Sequence, residues 1–199
     1  MTTGMRQAKR PLSALLAGPY GHPYHPMLVT VPIGAWVLSL GFDVASHFAS
    51  RPAFLAMGSE SLIAAGVIGA VAAGLVGFLD LAVIPVGTPA FRTACTHMFI
   101  NVTLTVAYGA NFAWRYHTWA HTGPVDPGMI ALSAACVAAL GVSGYLGGKL
   151  TYRYGVRVAA EASQADGYLT TECRLIPGPR ATGAPRAPRA PRARRSHRA

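Results

Sequence analysis

The sequence predicts an all-α integral membrane protein: an up-down bundle of four transmembrane helices followed by a disordered basic tail. Three observations carry this. Apolar residues make up 52% of the 199 and charged residues only 12%, against roughly a quarter charged in soluble domains. The charges avoid the middle of the chain. Residues 11–150 hold four of each sign, whereas 1–10 hold three basic and no acidic groups and 151–199 hold ten basic and three acidic. Finally, four apolar stretches reach the ~20 residues that a helix needs to cross a bilayer. These features exclude a disordered acidic protein and argue against an ordinary soluble enzyme.

The first stretch covers 26–48 and opens at Pro26, where a first-turn proline is tolerated because its missing N–H would be unpaired anyway. Arg51-Pro52 closes the first hairpin, and the second span covers 59–84. Pro85, Gly87 and Pro89 mark the next turn, before a third span over 94–116. Gly123-Pro124 and Asp126-Pro127-Gly128 form the last connection, and the fourth span covers 129–149. Short links make sequential helices antiparallel neighbours. Strands are a poor alternative, because Ala64–Ala73 is mostly alanine, glycine and valine with no alternation. The organisation is therefore an arm over 1–21, a membrane domain over 22–158 and a tail over 159–199.

Charge sets the orientation. With both ends on one side, that side holds fifteen of the 17 lysines and arginines, and the other only Arg51 and Arg115. Both termini are expected in the cytoplasm. The N-terminus lacks a convincing cleavage site and reads as a cytoplasmic arm touching the membrane surface. From 177 the tail is low in complexity, with Ala-Pro-Arg at 184–186, 187–189 and 190–192. Proline at every third residue prevents helix. The tail's charge suits contact with anionic lipid heads, while specific nucleic-acid binding has no motif to support it. Cys95, Cys136 and Cys173 form no Cys-x-x-Cys pair, which argues against a zinc or iron–sulfur site.

Polar groups inside the spans are costly, so their placement is informative. At 100° per residue, His25, Pro32, Trp36, Ser39, Asp43 and His47 share one face of the first helix. His97, Asn101, Tyr108, Asn111 and Arg115 share one face of the third. The two faces should meet across the core. Gly66, Gly69, Ala73 and Gly77 line up on the second helix with Asp80, and Gly144, Gly147 and Gly148 on the fourth, giving close helix approach. Two layers result. The inner one holds His25, Asp80 and His97, with Asn101 a turn deeper and Arg92 adjoining. The outer one holds Asp43, His47, Arg115 and His117, near Glu60 and His121. Asp43 and Arg115 are candidate ion-pair partners, and Asp80 is a candidate partner for Arg92 or an imidazole.

The leading functional expectation is a b-type haem held by His25 and His97, with Asp80 and Asn101 orienting the imidazoles and the small residues making room for the ring. Such a module passes electrons to quinone or to a membrane redox partner and performs no substrate chemistry. The main alternative is a non-catalytic scaffold in which the same groups lock the helices. A second haem at His47 and His117 is disfavoured, because these lie 22 and 20 residues from the first pair, about 30 Å away at the opposite interface. There, Trp114 and Trp119 read as an aromatic belt. A proton or ion path along the polar faces is a further alternative, disfavoured by the narrow core and unbroken helices. No nucleophile–base constellation is present, since Ser39 and Ser133 lack suitable partners. An enzyme is not expected.

Several pieces also carry a resemblance. They are His25-Pro26-Met27-Leu28-Val29-Thr30-Val31-Pro32-Ile33 with Asp43, Gly77-Phe78-Leu79-Asp80, His97-Met98-Phe99-Ile100-Asn101, and Gly147-Gly148-Lys149-Leu150-Thr151-Tyr152-Arg153-Tyr154-Gly155-Val156. In combination, over about 22–158, the chain resembles the bacterial membrane proteins grouped as domain of unknown function 2231. The resemblance implies a four-helix domain in the bacterial cytoplasmic membrane. It also implies a redox setting, because some relatives carry a Rieske-type domain or are similar to cytochrome-like membrane proteins. This chain has no Rieske ligand motif and no Cys-x-x-Cys-His site, and Thr30 stands where relatives often have a second histidine.

Overall fold

The computed structural model describes residues 3–118 and 123–168, and among these every regular element is helical. Short helices α1 (Thr3–Lys9), α2 (Ala14–Ala17) and α3 (His25–Leu28) precede four long ones. These are α4 (Thr30–Ala45), α5 (Pro52–Ala82), α6 (Pro89–Thr118) and α7 (Pro127–Gly148). A π-helical turn, Lys149–Arg153, continues α7. The described residues up to 160 belong to one compact unit; those from 161 belong to a second, in which α8 (Glu161–Ala165) is followed by a 3₁₀ turn at Asp166–Tyr168. Trp119, His121, Cys173 and the Ala-Pro-Arg repeats lie outside the described residues.

Proline decides where the helices start. Pro52, Pro89 and Pro127 were expected to close loops, but each is the first residue of its helix. The first helical position needs no N–H donor and favours the fixed φ of proline. The second, third and fourth helices therefore begin two to seven residues before the apolar stretches do. Asp126 caps the last of them through Gly128 N at 2.7 Å. The first stretch is interrupted at Val29, between α3 and α4. Pro32 causes the break, since it has no N–H to give the Leu28 carbonyl and its ring crowds that group.

Three helical segments are long and apolar enough to cross a membrane: His25–Ala45, Pro52–Ala82 and Pro127–Arg153. Helix α6 falls outside this set although its 30 residues exceed the needed length. Its His97, Asn101, Asn111, Arg115 and His117 and five threonines lower its hydropathy.

The side chains are distributed inside out. Ile68, Leu75, Phe54, Phe99 and Val106 are each more than 60% exposed, whereas Ser39, Asp43, Ser59, Asn111, Arg115 and Ser133 are almost wholly buried. Contiguous exposed apolar surface on this scale has no place in water. Helices pack in a ring, α4 on α5, α5 on α6, α6 on α7 and α7 on α4.

That ring is built from two similar hairpins. The buried positions Pro32, Trp36, Ser39 and Asp43 of α4 recur 72 residues later as Leu104, Tyr108, Asn111 and Arg115. His25 recurs likewise as His97. On the partner helices the interval is 70: Ser59, Ile63, Gly66, Ala73 and Asp80 answer to Met129, Ser133, Cys136, Ser143 and Leu150, and all ten are buried. Equivalent residues face each other across the centre. Trp36 stacks on Tyr108 at 4.2 Å between centroids and 11° between planes. The Arg115 guanidinium forks onto Asp43, Nη1 donating to Oδ1 at 2.8 Å and Nη2 to Oδ2 at 2.7 Å.

Breaking a buried pair strands one charge, at a cost of about 3–5 kcal/mol. D43N is therefore expected to lower the thermal midpoint in detergent well below that of exposed-site controls. The exchange D43R/R115D should recover part of the loss, because the two positions are equivalent. Circular dichroism melts of the three variants measure both effects.

Candidate functional site

The inner end of the hairpins assembles the two imidazoles. Pro26 is the second residue of the short helix α3, which is interrupted at Val29 and places His25 against α5. His25 Nδ1 meets the carbonyl of Ala73 at 2.8 Å. Helix α6 presents His97 to α7 in the same way, with Nδ1 3.0 Å from the Ser143 carbonyl and 3.0 Å from Ser143 Oγ. Ala73 and Ser143 are equivalent positions of the two hairpins. Each carbonyl accepts a hydrogen bond from Nδ1–H, which leaves Nε2 as the free nitrogen of each ring. The rings lie 6.3 Å apart between centroids, with their planes at 88°. Both are half-buried.

Glycine makes these positions possible. A Cβ at Gly77 would lie 2.8 Å from His25 Cε1, and one at Gly147 would lie 3.3 Å from His97 Cε1. Gly66 similarly admits the indole of Trp36, and Gly69 the side chain of Val31. These glycines thus receive the imidazoles and the indole themselves, where the sequence suggested space for a porphyrin. Gly144, by contrast, faces open space.

Asn101 braces His97. Its Nδ2 donates to Ser143 Oγ at 2.6 Å and to the His97 carbonyl at 2.7 Å. It stands 3.4 and 3.3 Å from the two ring nitrogens, so it lies beside the ring and aims at neither lone pair. Asp80 does something else. The sequence offered Arg92 or an imidazole as its partner, but its partner is Arg157, whose Nε lies 2.7 Å from Oδ1. Helix α5 ends at Ala82, so Asp80 is in its last turn. Arg92 is ten residues on in α6 and exposed.

Arg157 entered the sequence reading only as one charge among many. It is 3% exposed and adopts φ 61°. Its Nη2 donates to the carbonyls of Ala17 (2.8 Å) and Gly18 (2.9 Å), and its backbone N–H to Ala8 (2.9 Å). Its Nε points off the line to Asp80, so that contact is ionic without a directed hydrogen bond. Among the described residues Nη1 has no partner either. Lys9 Nζ adds bonds to the carbonyls of Val158 and Ala159 at 3.1 and 3.2 Å. The N-terminal arm is thus fastened to the segment after the last helix. The legible signal was Gly155, a left-handed turn residue at φ 66°, directly after the span.

At the outer end the Asp43–Arg115 pair is completed by Asn111 Oδ1, which accepts from Arg115 Nε at 2.8 Å, and by Ser59 Oγ at 3.2 Å from Nη1. His47 Nε2 bonds the Val125 carbonyl at 2.8 Å. His117 is exposed, with its ring against Tyr116. The inner and outer polar groups are separated by Trp36, Ile63, Leu104 and Tyr108, an aromatic and apolar layer that interrupts the polar faces.

A family model described as a predicted membrane protein, domain of unknown function 2231, matches residues 21–160. No curated protein and no solved structure matches the chain.

G77A is expected to displace His25 from the Ala73 carbonyl and to lower the melting temperature more than G147A, because its Cβ falls 0.5 Å closer to the ring it meets. R157Q should free the N-terminal arm and speed tryptic cleavage after Arg6 and Lys9 relative to the parent protein. Detergent melts and a timed digest read these outcomes.

Proposed function

The chain belongs to the domain of unknown function 2231 family of membrane proteins, and on that premise we propose that it is a four-crossing, up-down helical electron-transfer module of the cytoplasmic membrane. Helix α6 supplies the remaining crossing. Its Asn111 and Arg115 are buried among the helices and hydrogen-bonded to α7, α4 and α5, which removes their cost in hydrocarbon. Both termini lie in the cytoplasm, on the side rich in lysine and arginine.

His25 and His97 are the ligands of a b-type haem. The observation that carries this reading is their 6.3 Å centroid separation, with each Nδ1 held by a backbone carbonyl. Carbonyl-bound Nδ1 is how proteins fix the tautomer and aim of a ligating histidine. The two imidazoles would hold the iron, and their 6.3 Å separation keeps both within reach of one metal. A bare zinc or copper ion needs more donors than two imidazoles. Among the described residues no third histidine, cysteine or carboxylate joins the pair. Haem brings four nitrogens of its own and a one-electron couple, so two protein donors are enough. Asn101, through Ser143, keeps the His97 ring in place, and Asp80 with Arg157 anchors the last turn of α5 beneath His25. Quinone or a membrane-bound redox protein is the electron partner.

One observation favours a second reading, a scaffold without cofactor. The same two hydrogen bonds join α3 to α5 and α6 to α7, so they also lock helices.

The test is a dithionite-reduced minus oxidised spectrum of membranes from an overexpressing strain. A sharp α band in the parent protein, lost in both H25A and H97A while the protein is still made, is the expected result. A folded, colourless parent protein overturns the haem reading and leaves the scaffold.

A further inference from the structure

We infer that the inner end of α7 carries a binding site for an anionic phospholipid, with its phosphate on Lys149 and Arg153 and an acyl chain laid over Gly141, Gly144 and Gly148. The site is independent of the imidazole pair.

Helix α7 does not stop at Gly148 but widens into the π-helical turn Lys149–Arg153, closed by Tyr154 N donating to the Lys149 carbonyl at 3.1 Å. Turns of this kind are rare and mark functional sites more often than chance would. Here it opens a shallow groove of about 430 Å³ lined by Tyr145, Gly148, Lys149, Tyr152 and Arg153. Tyr145 and Tyr152 are 72% and 91% exposed, at the depth where a span ends and amphipathic rings meet headgroups. Lys149 Nζ lies 5.7 Å from the Tyr154 ring centre. Among the described residues neither Lys149 nor Arg153 has a carboxylate partner. Two cations thus flank a groove at the membrane edge, a charge arrangement that a phosphodiester complements. Towards the bilayer centre, a Cβ at Gly141 or Gly144 would meet nothing within 4 Å, so the groove continues as a smooth strip suited to an alkyl chain.

The first hairpin serves as an internal control. Seventy residues earlier, Tyr145, Gly148, Lys149, Tyr152 and Arg153 are replaced by Leu75, Phe78, Leu79, Ala82 and Val83. The common fold therefore has no need of a glycine, two cations or two tyrosines at these places. What they add is recognition of something outside the chain, and at this depth that is a lipid.

The test is native mass spectrometry of the full-length protein in detergent, titrated with phosphatidylglycerol or phosphatidylcholine. The parent protein should retain phosphatidylglycerol in preference to phosphatidylcholine. K149Q/R153Q should weaken that retention by about twenty-five-fold, at about five-fold per cation removed, with an unchanged melting temperature. R92Q, which removes a cation from the first turn of α6 at the same end of the bundle, should behave like the parent protein. All three share the basic tail, so its contribution cancels. Equal retention in K149Q/R153Q, or an equal loss in R92Q, overturns the site in favour of diffuse charge. Displacement of the lipid by millimolar glycerol phosphate overturns it in favour of a soluble phosphate ligand.

Discussion

One network of side chains touches all four long helices. Arg115 of α6 spends its donors on Asp43 of α4, Ser59 of α5 and Asn111 on its own helix, and Asn111 Nδ2 passes on to Ser133 of α7 at 3.0 Å. Both charges are almost wholly removed from solvent, with 2% and 0% of their side chains exposed. In a surrounding of low dielectric, such a pair is tolerable only when its lone pairs and protons are all engaged. That requirement fixes the rotation of each helix about its own axis. The inward direction of Trp36, Tyr108 and the two imidazoles follows from it.

The two ends of the molecule then differ in character. The outer end is held by the forked Asp43–Arg115 pair and by Val125, which accepts from His47 and donates to Ser46 Oγ. The inner end is held by imidazole-to-carbonyl bonds over glycine, with both rings half-buried. Between the two ends, the Trp36–Tyr108 stack is a plug, and it separates the polar groups that a continuous proton path would need to join.

Much of this was legible in the residues. Histidine, aspartate, asparagine and arginine recurring at helical intervals inside apolar stretches pointed inward, because the membrane leaves them nowhere else to go. Helix ends were less legible, since Pro52, Pro89 and Pro127 serve equally as loop residues and as first helical residues. The partners of the imidazoles were not legible at all. Ala73 and Ser143 act through their carbonyl oxygens, and a backbone group leaves no trace in residue type. Arg157 was hidden for another reason: its burial depends on a left-handed turn that packs it against an arm 140 residues away. The recurrence at 72 and 70 residues lay in plain view in His25 and His97, Trp36 and Tyr108, but identity at the matched positions is low. It emerges only once burial is compared.

Equivalence of the two hairpins has a last consequence at Asp43 and Arg115. Two identical first hairpins would set carboxylate against carboxylate at full burial, and two identical second hairpins guanidinium against guanidinium. Neither half is able to replace the other. The asymmetry extends to the surface of the inner end, where only the second hairpin carries the lysine, the arginine and the two tyrosines.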